Sequence, residues 1–244
     1  MHLFYCPDIA TTLTLPEEES RHCVKVLRLV EGDEIDIVDG SGMWHHARIT
    51  MAHQKRCAVE LVHSEENAPH WPHKIVVAIA PTKNMDRIEW MAEKCTEMGI
   101  DRIIPLLCHN SERKEVKTER LRKILVSAMK QSLKATLPQL DEMTPIMKVI
   151  NMPFDGKRFI CYCDMSLPRE QRKTFAREYS ATEDALILIG PEGDFSPEEV
   201  SAALAAGFIP VTLGQSRLRT ETAAVQAVAS CHTIIQTNDN IDKK

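Results

Sequence analysis

The stretch ILIGPEGDFSPEE (residues 187–199) begins apolar, turns through two glycines and ends in the pattern of a helix start. The apolar run that leads into it, residues 185–189, is short and rich in branched side chains, which predicts a strand buried on both faces. Gly190 and Gly193 allow main-chain conformations that other residues avoid, and they let other groups approach the backbone closely. The stretch therefore predicts a strand, a tight turn and a helix in succession.

The helix start has three separate signals. Ser196 predicts the N-cap, Pro197 the first helical residue and Glu199 the reciprocal member of a capping box. Gly207 predicts the end of the same helix. Turns of this kind at the carboxyl ends of parallel strands often bind ligands, although an ordinary strand-to-helix turn has the same composition. The Gly-Lys-Ser/Thr of a P-loop is absent, which argues against a phosphate site of that type.

The 244 residues could form one large domain or two smaller ones with real cores. No apolar run is long enough to span a bilayer, and the N-terminal residues lack the pattern of a signal peptide. The eight cysteines include no Cys-x-x-Cys pair, so neither a zinc ribbon nor a thioredoxin motif is supported. These features predict a soluble cytoplasmic protein without a metal ion.

Charge is distributed unevenly along the chain. The net charge of −5 divides into −6 for residues 1–70, +4 for residues 71–150 and −3 for residues 151–244. Within residues 112–134, eight Lys and Arg side chains stand against three Glu. Such a run is typical of a surface that follows nucleic-acid phosphates, and it is equally typical of a solvated helix face.

The chain changes its pattern near residues 63–74, a polar segment with two prolines that predicts a boundary between domains 1–70 and 71–244. Before it, a short helix over residues 17–29 and several short strands predict a small barrel or sandwich. After it, strands and helices alternate, which predicts an α/β domain with a parallel sheet. The predicted strands are 74–81, 100–108, 157–163, 185–189 and 208–213, and the helices are 85–99, 117–133, 168–180, 197–206 and 220–236.

A second loop, within LGQSRLRTETAAVQAV (residues 213–228), repeats the pattern of the first. Two such loops at neighbouring strand ends would form one pocket. Arg217, Arg219 and Glu221 would lie on its rim, and either Thr220 or Thr222 is a plausible N-cap for the following helix. An ordinary surface pair between Arg219 and Glu221 is the alternative.

Together, IGPEGDFSPEE and LGQSRLRTETAA strongly resemble the two signature loops of the RsmE family of SPOUT methyltransferases, which methylate uracil N3 in 16S ribosomal RNA. The resemblance covers nearly the whole chain. RHCVKVLRLVEGDEIDIVDGSG (residues 21–42) resembles the family's PUA-like β-barrel, and residues 83–113 resemble the start of its catalytic domain. The sequence departs from the family at Asp194, where a second glycine is usual, and at Ser216, where an arginine is usual.

The resemblance implies a C-terminal trefoil knot whose two loops bind S-adenosylmethionine, a homodimer, and an N-terminal barrel that helps to hold 16S rRNA within the small ribosomal subunit. It implies these cofactor-binding residues: Ile189, Gly190, Pro191, Glu192, Gly193, Leu213, Gly214, Leu218, Thr220, Thr222 and Ala223. The residues expected to contact RNA are Arg21, Lys25, Arg28, Arg113, Lys114, Gln131 and Lys134.

The chemistry that follows needs two catalytic residues. Methylation of uracil N3 requires removal of its proton, and Arg219 could stabilise the negative charge that develops on a uracil oxygen. Glu221 is a candidate base if burial strengthens its affinity for a proton, and it could instead only position Arg219 or the cofactor. Two other functions remain open at this point: a nucleotide-binding α/β enzyme, and a non-catalytic RNA-binding module of SPOUT fold.

Overall fold

The structure, a computed structural model, describes residues 2–162, 168 and 171–241. These residues form two compact units. The first unit contains the described residues up to His70 together with Val126–Leu137. The second unit contains Trp71–Leu125 and the described residues from Pro138 onward.

The first unit is built around a four-stranded sheet in the order β1-β2-β3-β4. β1 pairs parallel with β2, and the other two pairings are antiparallel. Register shifts at His46/Ala47 and Ile49/Met51 bend the sheet, as β-bulges do. The pairings among the described residues do not close this sheet, so a closed barrel remains a prediction. The elements are β1 Leu3–Tyr5, α1 Ile9–Thr12, α2 Glu17–Arg21, β2 Glu34–Val38, β3 Met43–Met51 and β4 Ala58–Glu66.

The helix predicted over residues 17–29 is interrupted. α2 continues into a π-helical turn, His22–Val26, in which the Leu27 amide donates to the His22 carbonyl at 3.0 Å. Arg28 follows with a φ of 58°, a left-handed conformation that costs a non-glycine residue about 1 kcal/mol. π-turns and strained residues of this kind often occur at functional sites.

The segment Val126–Leu137 completes the core of the first unit. Met129 and Ala135 form one buried cluster with Val38 and Trp44. The Leu137 amide also donates to the Gly40 carbonyl at 2.9 Å. Part of the first unit's core therefore comes from residues that lie far from its strands in sequence.

The second unit contains a parallel sheet in the order β11-β9-β10-β5-β6-β7, with β8 pairing to β6. β10 lies between β5 and β9, and all five of its residues are buried. The strands are β5 Ile75–Ile79, β6 Arg102–Leu107, β7 Gln139–Leu140, β8 Thr144–Pro145, β9 Lys157–Cys161, β10 Ala185–Ile189 and β11 Ile209–Val211. The helices are α3 Met85–Met98, α4 Thr118–Gln131, α5 Ile146–Ile150, α6 Phe175–Glu178, α7 Pro197–Ala205 and α8 Thr220–Ile241; the last turns of α4 belong to the first unit.

The predicted α/β fold with a parallel sheet is confirmed, and so is the burial of the central strand. The short elements β7, β8 and α5 were not predicted, because each is too brief to leave a periodic pattern. The helix predicted over residues 168–180 lies partly outside the described residues, and within the described part only α6 is α-helical. None of the described helices combines the length and apolar character needed to span a bilayer.

Candidate functional site

The first loop follows β10 and closes through a tight turn. The Asp194 amide donates to the Pro191 carbonyl at 2.9 Å, and the Asp194 carboxylate accepts from the Phe195 amide at 2.8 Å. Asp194 has a φ of 62°, a conformation that Asp tolerates better than most residues because its short side chain bonds locally. The aspartate thus takes a left-handed position that a glycine would also accept.

The two glycines of this loop lie close to other groups of the protein. A Cβ atom on Gly190 would lie 3.0 Å from the Phe195 ring, and one on Gly193 would lie 3.2 Å from the Cβ of Asn110. The side of Gly193 where a side chain would stand faces Asn110. The space left by the missing side chain is therefore used for packing within the protein, and this contact does not show room for a ligand.

The capping box predicted at the start of α7 is confirmed. The Ser196 hydroxyl accepts from the Glu199 amide at 3.2 Å, and the Glu199 carboxylate accepts from the Ser196 amide at 2.8 Å. The other oxygen of the Glu199 carboxylate accepts from the His109 amide at 2.7 Å, although Glu199 is only 7% exposed. The helix cap therefore also holds the loop that follows β6.

The second loop leads from β11 to α8, and its main-chain amides are available to bind a ligand. The amides of residues 213–218 donate to no acceptor among the described residues, and Gly214 has a φ of 140° with open space on its Cβ side. Leu213 and Leu218 are half-buried, whereas Arg217 is exposed. Unpaired amides and carbonyls of this kind can bind the edge of a heterocyclic base.

The two loops meet at the start of α8. The Thr220 hydroxyl donates to the Gly190 carbonyl at 3.3 Å. The prediction that Thr220 or Thr222 is the N-cap is wrong, because α8 already begins at Thr220 and both threonines lie within the helix. The Thr220 side chain joins the loops instead of capping the helix.

Glu221 is buried beside this junction, with 6% of its surface exposed. Its Oε1 lies 3.7 Å from Nε of Arg87, and its buried Oε2 has no hydrogen-bond partner among the described residues. Nη1 of Arg87 also lies 3.5 Å from Oε1 of Glu192 in the first loop. The Arg219 side chain is exposed and makes no hydrogen bond or ion pair with the described residues, so the alternative of an Arg219–Glu221 surface pair is not supported.

Sequence comparison assigns the chain to a known family. A family profile described as an RNA methyltransferase domain matches residues 69–232, and a profile described as an RNA methyltransferase PUA domain matches residues 15–62. The Synechocystis protein named ribosomal RNA small subunit methyltransferase E is 27% identical over 231 residues, covering 93% of this chain and 75% of its own length. The chain belongs to the RsmE family.

Solved structures agree with this family assignment. A probable rRNA methyltransferase from Porphyromonas gingivalis is 44% identical with a TM-score of 0.92, covering 98% of this chain and 100% of its own. The RsmE protein of Neisseria gonorrhoeae, crystallised with S-adenosylmethionine, is 27% identical with a TM-score of 0.82 and covers 96% and 98% of the two chains. The PUA domain predicted at the N-terminus is thereby confirmed for this RsmE family member.

The basic residues predicted in the second unit have different surroundings. Arg113 donates to the carbonyls of Thr82 and Lys83 at 3.2 and 2.6 Å, so its guanidinium holds the main chain before α3. Lys114 is exposed and lines an open groove with Lys83, Glu112, Arg113 and Glu115. Lys117 is also exposed.

In the first unit, the predicted RNA-contacting side chains are on the surface. Arg21, Lys25 and Arg28 of the π-helical region are exposed, as is Gln131, and Lys134 is half-buried. The neighbouring Lys130 is paired with Glu19, so its charge is already balanced. The surface character of these residues is compatible with contact to a large ligand.

Sequence reasoning missed two residues of the site, Arg87 and Asn110, and it missed the hydrogen bond that Glu199 accepts from the His109 amide. Only the general resemblance of residues 83–113 to the RsmE family pointed to this region. Burial raises the pKa of the Cys108 thiol, at the start of the loop that follows β6, to about 12, which disfavours the thiolate form that a nucleophile needs. Within the described residues, no three His, Cys, Asp or Glu side chains are grouped so that they could hold a metal ion.

Proposed function

We propose that the protein transfers the methyl group of S-adenosylmethionine to N3 of a uracil in 16S ribosomal RNA. The observation that carries this proposal is the junction of the two loops through Thr220 and Gly190, which unites the segments that resemble the family's cofactor site. Membership of the RsmE family and the cofactor-bound gonococcal relative support the same conclusion.

The residues present fit S-adenosylmethionine. The unpaired amides of residues 213–218 offer donors for an adenine, and the buried, unpartnered Oε2 of Glu221 offers an acceptor. The carbonyls of Ile189 and Gly190 already accept from Ala80 and Thr220, so each keeps one lone pair. The site would be formed by these residues: Ile189, Gly190, Pro191, Glu192, Gly193, Leu213, Gly214, Leu218, Thr220, Thr222 and Ala223.

S-adenosylmethionine supplies a methyl group that its sulfonium has already activated. The protein therefore mainly orients the reactants and manages the proton on N3. In the proposed reaction the Glu221 carboxylate accepts the N3 proton, and Arg87 keeps that carboxylate in place. Arg219, exposed and unpartnered among the described residues, stabilises the negative charge on a uracil oxygen.

The target base must be unpaired or flipped, because N3 lies on the edge used for Watson–Crick pairing. In the first unit, Arg21, Lys25, Arg28, Gln131 and Lys134 are proposed to hold the RNA. In the second unit, Arg113 and Lys114 are proposed to do so, with Lys114 the more available of the two. We propose that the substrate is the RNA of the small ribosomal subunit, acted on in the cytoplasm during ribosome assembly.

A trefoil knot and a homodimer belong to the same proposal. α8 follows the edge strand β11 but packs on α3, β5 and β10 near the centre of the sheet, a return path that a knot requires. Trp90 on α3 is 44% exposed and is therefore accessible to a second copy of the chain. Light scattering of the purified protein would test the dimer, and a monomer at micromolar concentration would contradict it.

Binding of S-adenosylmethionine is the first expected result, measured by calorimetric titration with ATP and NAD as controls. We expect one site per chain for S-adenosylmethionine and no binding of the two nucleotides, since the acidic start of α7 disfavours phosphate. Incubation with unmodified small-subunit RNA should then yield 3-methyluridine in a nucleoside digest. RNA binding without cofactor binding, before or after RNA is added, would indicate a non-catalytic module instead.

Charge reversal tests the basic surface of the second unit. Lys114→Glu combined with Lys117→Glu should weaken RNA binding about tenfold or more and should reduce the salt slope by up to about 2, because two phosphate contacts are lost. Arg113 is left unchanged because it supports the main chain. Lys148→Glu, an exposed change on α5, is the matched control and should alter neither quantity. Equal affinities for all variants would identify the run as a solvated helix face.

A further inference from the structure

The connection after β6 begins with a fixed turn. The Cys108 amide donates to the Ser111 hydroxyl at 2.9 Å, and the Ser111 amide donates back to the Cys108 carbonyl at 3.1 Å. Ser111 is buried, with 7% of its surface exposed. The turn therefore presents His109 and Asn110 at its tip with little freedom of movement.

Asn110 contacts the first loop through its side-chain amide. Nδ2 donates to the carbonyl of Gly193 at 3.2 Å and to the carbonyl of Asp194 at 3.0 Å. Because these two carbonyls stand immediately before and after the Cα of Asp194, one side-chain amide restrains the main chain of that residue. Asp194 has a left-handed conformation, which an unrestrained chain would rarely keep.

The same turn is anchored at the far end of the loop. The His109 amide donates to the buried Glu199 carboxylate, which also accepts from the Ser196 amide. Close packing adds a steric restraint, since the Asn110 Cβ lies 3.2 Å from the position that a Cβ atom on Gly193 would take. The turn that follows β6 therefore restrains the loop at two places, through His109 and through Asn110.

We infer that Asn110 is a positioning residue of the cofactor site, holding the loop of residues 190–194 in the conformation that binds S-adenosylmethionine. The inference rests on the function proposed above. A loop that is already ordered loses less conformational entropy when the ligand binds, so affinity depends on the restraint even where the restraining side chain does not touch the ligand.

Asn110→Ala is expected to raise the Kd for S-adenosylmethionine about tenfold, because two hydrogen bonds that order the loop are lost. Amide hydrogen exchange of a peptide covering residues 190–196 should accelerate in the same variant without ligand. Asn151→Ala is the matched control, because Asn151 is also exposed and its amide donates to a main-chain carbonyl, that of Met147, at 2.7 Å. This control should change neither the Kd nor the exchange of the loop.

A double-mutant cycle separates positioning from general stability. Gly193→Ala should weaken cofactor binding about tenfold because its methyl group meets the Asn110 Cβ. In the Asn110→Gly background, the same change should add less than about twofold, since the opposing Cβ has gone. Thermal unfolding of each variant shows whether a loss of affinity reflects the loop or the whole unit.

These experiments distinguish failure of the inference about Asn110 from failure of the proposed function. If wild-type protein binds S-adenosylmethionine and Asn110→Ala binds it equally well with unchanged loop exchange, the inference is overturned and the proposed function stands. A loss of affinity in Asn110→Ala accompanied by an equal loss in Asn151→Ala would also overturn it. If the wild-type protein binds no cofactor even with RNA present, the proposed function fails and this inference fails with it.

Discussion

Arg219→Ala is expected to lower the rate of methyl transfer by about 100- to 1000-fold, because loss of a single donor to a developing oxyanion has an effect of that size. The Kd for S-adenosylmethionine should remain within about threefold of the wild-type value, since the proposed role of Arg219 is toward uracil. The side chain is exposed and has no partner among the described residues, so its removal should leave the fold intact. Single-turnover kinetics with saturating cofactor and RNA would measure the effect on the chemical step.

Arg217→Ala is the matched control for this prediction. Arg217 is an exposed arginine two residues earlier in the same loop, so the variant loses the same charge at almost the same place. Its expected effect is confined to RNA affinity, by about threefold or less. Equal losses of single-turnover rate in the two variants would show that Arg219 acts only through its positive charge near the site. Full activity of Arg219→Ala would show that Arg219 takes no part in the mechanism.

Gly156→Ala should destabilise the second unit by about 4 kcal/mol in the free energy of unfolding. Gly156 has a φ of 150°, and a Cβ atom there would lie 2.3 Å from the main-chain oxygen of Asp184. A main-chain oxygen cannot rotate away as a side chain can, so the strands β9 and β10 that follow these two residues would have to separate. Urea denaturation would measure the change.

Gly207→Ala separates the steric cost at Gly156 from the cost of an unusual φ. Gly207 has a φ of 86°, and no atom lies within 4 Å of its Cβ position. Only the conformational strain remains there, so we expect a loss of about 1 to 2 kcal/mol. Similar losses of stability in the two variants would show that the main-chain oxygen of Asp184 can move away from the added methyl group without a cost in free energy.

Local features of this fold could be predicted from the sequence, because the interacting groups are close in the chain. The capping box joins Ser196 to Glu199, only three residues apart, and Gly207 ends the helix by its own conformation. β10 was predictable for a similar reason, since burial on both faces leaves a continuous apolar run. The resemblance to a known family also made the type of each domain predictable.

The contacts that organise the candidate site could not be predicted in this way. Arg87 and Glu221 are separated by more than 130 residues, and Asn110 and Gly193 by more than 80, so no periodicity connects them. The error at Thr220 has the same origin: its hydroxyl satisfies every local criterion for a cap, but it donates to the carbonyl of Gly190, which lies 30 residues away in the first loop. The strand order of the sheet is likewise set by long-range pairing.

The first unit is assembled from two separate segments of the chain, and this has a consequence for folding during synthesis. When residue 70 has been translated, the sheet of this unit still lacks Met129 and Ala135, which cover Val38 and Trp44. Its apolar surface must therefore stay exposed to the ribosome exit region while about 65 further residues are added, roughly 3 to 13 seconds at common elongation rates. An N-terminal fragment cut at the apparent linker would keep that exposure permanently, so the excised domain is expected to aggregate unless Val126–Leu137 is supplied to it.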